Sequence, residues 1–177
     1  MLEKACEFMS SRDIEKIGLS WINVNLSPLQ FLKSDLSKRF TSIIEKYRVN
    51  PENIHLEITE ESMIDYALLK KQVFDIKNAG FHFVLDDFGA GYSNVTRLNR
   101  YPFFNIKLDM QVVWEYFKSH EEILPALIQA FKHMGFSVTA EGIESREMAD
   151  EMKKLGCDYL QGFYFSKPLP VEDFIKK

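Results

Sequence analysis

Apolar residues come in short, continuous runs along this chain: Trp21 to Leu26, Ile54 to Ile58, Phe81 to Leu85, Phe103 to Leu108, Phe136 to Ala140 and Tyr159 to Phe165. The runs are rich in Val, Ile and Phe and do not strictly alternate, which predicts strands covered on both faces and hence a parallel sheet. Between most of them, apolar residues recur at three- and four-residue spacing, as at Phe40, Ile43, Ile44 and Tyr47, or Leu124, Leu127, Ile128 and Phe131. That spacing predicts amphipathic helices. Gly80, Gly135 and Gly156 stand shortly before the next run, where glycine closes a helix in the left-handed conformation. The repeating unit is therefore helix, glycine, strand. The connection from Asp86 to Phe103 is shorter and is predicted to hold a brief helix over Tyr92 to Asn99.

Strand and helix alternation with right-handed crossovers gives either an open doubly wound sheet or a barrel, and periodicity does not choose between them. Length adds a constraint, since a complete eight-stranded βα-barrel typically takes about 250 residues and this chain has 177. No Ser-rich linker, charge block or compositional break divides it, so a single domain over 1–177 is expected. The net charge of −4 argues against a groove that binds long nucleic acid by phosphate neutralisation. An anionic ligand would need cations from elsewhere, and bound metal is the obvious source. No stretch is long and apolar enough to span a membrane, and Glu3, Lys4, Glu7 and Arg12 make the opening segment unlike a signal peptide; a cytoplasmic location is expected. Cys6 and Cys157 read as reduced core thiols.

Polar residues gather at the C-terminal ends of the apolar runs. Asn25 ends the first, Glu57 and Glu60 the second, Asp86 and Asp87 the third, Lys107 and Asp109 the fourth, and Glu141 and Glu144 the fifth, while Gln161 lies inside the sixth. Parallel strands bring those ends to one rim, where α/β folds bind ligands. Singly, each carboxylate reads as the N-cap of the next helix. Together the balance reverses, because Asn25, Glu57 and Asp86 at buried strand positions cost several kcal/mol to desolvate unless paired or metal-bound. Oxygen-only ligands favour Mg²⁺, Mn²⁺ or Ca²⁺ over Zn²⁺. His55, His82, His120 and His133 have no ligand spacing and read as surface or packing residues. Gly89-Ala90-Gly91 satisfies neither nucleotide motif, since Asn stands at position 94 and no P-loop Lys follows. It reads as a loop over the rim that brings backbone N–H groups towards a phosphate.

These motifs, in this order, resemble the EAL family, whose members hydrolyse the bacterial messenger cyclic di-GMP. Asn25-Leu26-Ser27, Glu57-Ile58-Thr59-Glu60, Asp86-Asp87-Phe88-Gly89-Ala90-Gly91, Lys107-Leu108-Asp109, Ala140-Glu141-Gly142-Ile143-Glu144 and Gln161-Gly162-Phe163 with Lys167-Pro168-Leu169 carry the resemblance. It implies an incomplete TIM-like (β/α) barrel with about six parallel strands. It further implies that Asn25, Glu57 and Asp86 ligate one divalent metal, Mg²⁺ or Mn²⁺, and that Asp86 and Asp87 help hold a second. Glu141 and Lys107 would orient or deprotonate the attacking water. Gln161 would support water at the metal or the substrate, and Glu60 would fix the loop carrying Gly89 and Gly91. Asp109 and Glu144 would support the site. The implied reaction is hydrolysis of cyclic di-GMP to the linear dinucleotide.

The family's Glu-Ala-Leu motif does not occur here, and Met1 to Arg12 resembles the helix after the strand that carries it. The chain is therefore expected to lack the first two strands of the eight-stranded fold, together with one metal-ligating Glu, and to show impaired catalysis by itself. Three further expectations follow: homo-oligomers formed through the exposed sheet edges, a sensor or regulatory domain in a longer parent protein, and, as the alternative function, a non-catalytic module that binds cyclic di-GMP or a protein partner.

Overall fold

The computed structural model describes residues 1–11, 14, 17–33, 35–59, 67–91 and 95–176. Each apolar run contains a strand, and the amphipathic segments between them are helices. In chain order the elements are α1 (Leu2–Met9), β1 (Ile22–Asn25), a 3-10 helix (Pro28–Leu32), α2 (Leu36–Tyr47), a 3-10 turn (Pro51–Asn53), β2 (Ile54–Thr59) and α3 (Ala67–Asn78). They continue with β3 (His82–Phe88), a 3-10 helix (Val95–Arg100), β4 (Phe103–Leu108), α4 (Met110–Ser119), α5 (Ile123–His133), β5 (Ser137–Ala140), α6 (Arg146–Leu155), β6 (Tyr159–Leu160) and α7 (Val171–Phe174). The brief helix predicted over Tyr92 to Asn99 is the 3-10 helix at Val95–Arg100; positions 92–94 lie outside the described residues.

Among the described residues the six strands form one sheet in the order β1 to β6, and every neighbouring pair is parallel. A flat sheet of this order would hold its edges about 24 Å apart, five strand spacings of about 4.8 Å. Instead Trp21, just before β1, meets Tyr159 of β6 with ring centroids 5.2 Å apart. The sheet is thus curled into a half-barrel with a concave inner face. Its outer face carries the helices: Phe40 of α2 meets Phe81 at 5.9 Å, and Phe131 of α5 meets Phe88 of β3 at 5.0 Å. Ile76, Phe83, Leu85, Ile106, Val138 and Met152 are wholly buried in the resulting core.

Inside the curl, the end of the sheet opposite the acidic rim is floored by rings. Trp21 stacks on His55 at 5.3 Å, His55 meets His82 at 5.2 Å, and both histidines touch Phe104. Phe104 reaches this face because the β3–β4 ladder slips by one residue, from Phe83↔Phe103 to Val84↔Asn105. His55 and His82 are packing residues, as expected, and both cysteines are buried free thiols.

Helix ends follow the glycine signal, with Gly80, Gly135 and Gly156 all at positive φ. Arg48 and His120 close α2 and α4 in the same left-handed conformation without being glycine, and no sequence pattern announced them. The sixth run departs from expectation. It was predicted to continue as strand to Phe165, yet β6 ends at Leu160 and Gln161 lies just beyond it. The reason is steric: a Cβ on Gly162 would fall 2.1 Å from the Ile143 carbonyl oxygen, so the chain turns there against the loop that follows β5.

Candidate functional site

Strand register sets the site. Asn25 pairs with Glu57, and Thr59 with Asp86, so the polar ends of the strands stand side by side at the rim. Lys107, near the end of β4, is 4% exposed. Its Nζ lies 2.7 Å from Glu57, 2.8 Å from Asp86 and 2.7 Å from Glu141. Burial works against the ammonium charge, but Glu57, Glu141 and Asp86 together hold it protonated well above the usual lysine range. Burial likewise pushes the Glu141 carboxyl above its ordinary range, while Lys107 pulls the other way. One ammonium faces three carboxylates, which leaves the cluster negative when all three are ionised and attractive to a further cation.

Consecutive strand residues normally point to opposite faces, yet Asp86 and Asp87 act together. A second register shift between Leu85 and Phe88 and a left-handed backbone at Asp87, φ 56°, re-aim the second carboxylate, as bulges do. Carboxylate oxygens of Asp86, Asp87 and Glu141 consequently lie within 4.8 Å of one another. This oxygen-only set fits a hard divalent cation of the Mg²⁺, Mn²⁺ or Ca²⁺ kind. Glu57 joins the set through Lys107.

The other expected residues are placed unevenly. Asn25, expected at a buried strand position, is exposed at the end of β1, the edge strand of the curled sheet. Asp109 caps α4, accepting from the Gln111 backbone N–H at 2.8 Å, so the plain N-cap reading holds for it. Glu144 is exposed in the loop after β5, and Gln161 is exposed at the end of β6, where it lines the inner cleft of about 520 Å³. Gly89 and Gly91 follow the two aspartates; a Cβ on Gly89, at φ +97°, would lie 2.3 Å from Val112, so this loop is pressed against α4. Glu60 lies outside the described residues.

Two residues of the site escaped the sequence reading. Asn23 Nδ2 donates to Glu57 Oε1 at 2.8 Å, and Trp114 Nε1 donates to the Gly142 carbonyl at 2.8 Å. Asn23 had a signal, since it stands two residues before Asn25 and so faces the same side of β1. Trp114 had none, because its contact joins two elements distant in sequence.

Fold and site together define a class: a parallel α/β half-barrel whose C-terminal rim carries an acidic cluster able to hold divalent cations. The EAL domain profile matches residues 1–168, and the chain belongs to the EAL domain family. It is 29% identical over 154 residues to the cyclic di-GMP phosphodiesterase RocR of Pseudomonas aeruginosa, covering 85% of this chain and 39% of that protein. The EAL enzyme Bd1971, in its form bound to cAMP and cyclic di-GMP, superposes with a TM-score of 0.91 at 27% identity, over 99% of this chain and 50% of that one. BlrP1 of Klebsiella pneumoniae, in a complex with manganese and cyclic di-GMP, superposes with a TM-score of 0.80 at 25% identity, over 94% of this chain and 44% of that one. The chain therefore spans half or less of the length of each of these relatives.

Proposed function

We propose that this chain is the part of a cyclic di-GMP phosphodiesterase that holds one wall of the metal site and the residues that handle the attacking water, with little turnover when it acts alone. The observation that carries the reading is the buried Lys107 held by Glu57, Asp86 and Glu141 at 2.7 to 2.8 Å, beside Asp87. Asp86, Asp87 and Glu141 would hold divalent cations, with Glu57 and Asn25 contributing from β2 and β1. Such cations lower the pKa of water and stabilise charge on phosphodiester oxygens. Of the protein's own groups, Glu141 and Lys107 would orient or deprotonate the attacking water. Lys107 orients the carboxylates around it and offsets their mutual repulsion. The Gly89 to Gly91 loop would present backbone to a phosphate, and Gln161 would contact the substrate. The product is the linear dinucleotide.

Asn25 is exposed at the end of the edge strand β1, which supports binding over turnover for the chain alone. The free edges support two further readings: completion of the rim by additional chain, in cis or in trans, and self-association. The relatives' greater length fits control by a sensor domain, and with no described helix long and apolar enough to cross a membrane, the cytoplasm is the proposed location. The test incubates the purified chain with cyclic di-GMP and Mn²⁺ or Mg²⁺, following binding by calorimetry, product by chromatography and mass by light scattering. Binding with weak turnover, abolished in both respects by Glu57→Ala, is expected. Robust turnover by a monomer would overturn the impairment, and no heat at high micromolar ligand would remove the dinucleotide from the reading.

A further inference from the structure

The stretch after Lys107-Leu108-Asp109, Met110 to Trp114, is the first part of α4, and it lies across the rim loops. The Asp109 backbone N–H donates to the Phe88 carbonyl at 3.1 Å, and the Glu141 N–H to the Leu108 carbonyl at 3.2 Å, so the ends of β3, β4 and β5 are laced together at the base of α4. Above that lacing, Val112 presses on Gly89. Trp114 reaches the turn after β5, where its indole N–H donates to the Gly142 carbonyl at 2.8 Å. Gly142 has φ +70°, and a Cβ there would fall 2.4 Å from Met110 Cβ and 2.9 Å from Trp114 Nε1.

Glycine is needed at that approach, and glycine also leaves the turn conformationally loose. Glu141 is anchored on its N-terminal side by the bond from its N–H to Leu108. On its C-terminal side the first anchored peptide joins Gly142 to Ile143: its N–H donates to the Gln161 carbonyl at 3.0 Å, and the Ile143 carbonyl beyond accepts from the Tyr164 N–H at 3.0 Å. The carbonyl end of that peptide, the end nearer Glu141, is held by the indole.

We propose that Trp114 is a positioning residue for Glu141: by fixing the Gly142 carbonyl it sets the direction in which the Glu141 carboxylate meets Lys107 and a divalent cation. The inference rests on the metal reading above. Groups that orient a metal ligand from behind typically contribute 10- to 100-fold in metal affinity.

The experiment compares Mn²⁺ affinity, by electron paramagnetic resonance, for the wild type, Trp114→Phe, Glu141→Gln and the double variant. Trp114→Phe is expected to bind Mn²⁺ roughly tenfold more weakly, with a thermal midpoint lowered by no more than about 4 °C. Added to Glu141→Gln, it is expected to cause no further loss, since its effect runs through that carboxylate. Unchanged affinity in Trp114→Phe, or an equal loss in both backgrounds, overturns the proposal. If the wild type binds no Mn²⁺, the metal reading falls, and hydrogen exchange of residues 141–144 in the metal-free protein decides the positioning role. Faster exchange in Trp114→Phe upholds it, and identical exchange overturns it. Should the phenylalanine variant not fold, the sulfur isostere of tryptophan at position 114, which keeps the ring shape without the N–H, gives the same readouts.

Discussion

Lys107 is nearly enclosed and makes three ion pairs of 2.7 to 2.8 Å with carboxylates from three other strands or strand ends. A buried pair of this kind adds little over a well-packed apolar alternative, but removing one partner leaves uncompensated charge, at a cost of about 3–5 kcal/mol. Lys107→Met should therefore lower the unfolding free energy in denaturant titrations by about 3 kcal/mol, with part of the loss restored by Mn²⁺. Stability equal to wild type would mean that the carboxylates simply take up protons when the ammonium is gone. At this scale the sequence was a good guide to which residues matter and a poor one to their surroundings. Lys107, Glu57, Asp86 and Glu141 were all legible from their positions at strand ends. That Asn25 is exposed was not, because burial depends on what covers β1 rather than on the residues within it.

The loops that carry the site are shaped by close backbone approaches. Gly162 sits against the Ile143 backbone with no room for a methyl group, which both ends β6 and props the loop bearing Glu141. Gly162→Ala must push backbone against backbone, and a cost of about 2 kcal/mol or more is expected from the overpacking, measured as a lower thermal midpoint with weaker Mn²⁺ binding. A variant with native stability would show that the loop yields freely. The Asp86-Asp87 pair belongs to the same scale. Adjacent aspartates on a regular strand would diverge, and the register shift together with the left-handed backbone at Asp87 brings them together. Sequence announced both carboxylates without announcing the bulge, since nothing local distinguishes a strand that slips from one that does not.

Curling the whole sheet gathers Trp21, His55, His82, Phe104 and Tyr159 from four strands and the segment before β1 into one inner floor. Burial, with His82 adding, lowers the His55 pKa to about 4, whereas the unfolded chain takes up that proton near 6.5. The unfolded state thus binds more protons between those values. Stability from this residue is full above about pH 6.5 and is lost as pH falls towards 4, by on the order of 2–3 kcal/mol. Unfolding midpoints measured from pH 7.5 to 4.5 should fall accordingly, and His55→Phe should flatten the slope. A slope unchanged by that substitution would assign it to other groups.

By itself the sequence determined the place of most strands, their parallel pairing, the helix ends marked by glycine and the chemical types gathered at one rim, because these follow from local periodicity and from residues whose burial is costly unless partnered. Periodicity did not choose between an open sheet and a barrel; the motif order pointed to an incomplete barrel, and the folded chain shows how far it closes. That choice depends on how far the sheet curls, and curl is the accumulated result of strand twist, two register slips and the packing of helices on the outer face. Tertiary structure also decided which carboxylates converge on Lys107 and which residue braces Glu141, since those contacts join elements that no sequence spacing relates.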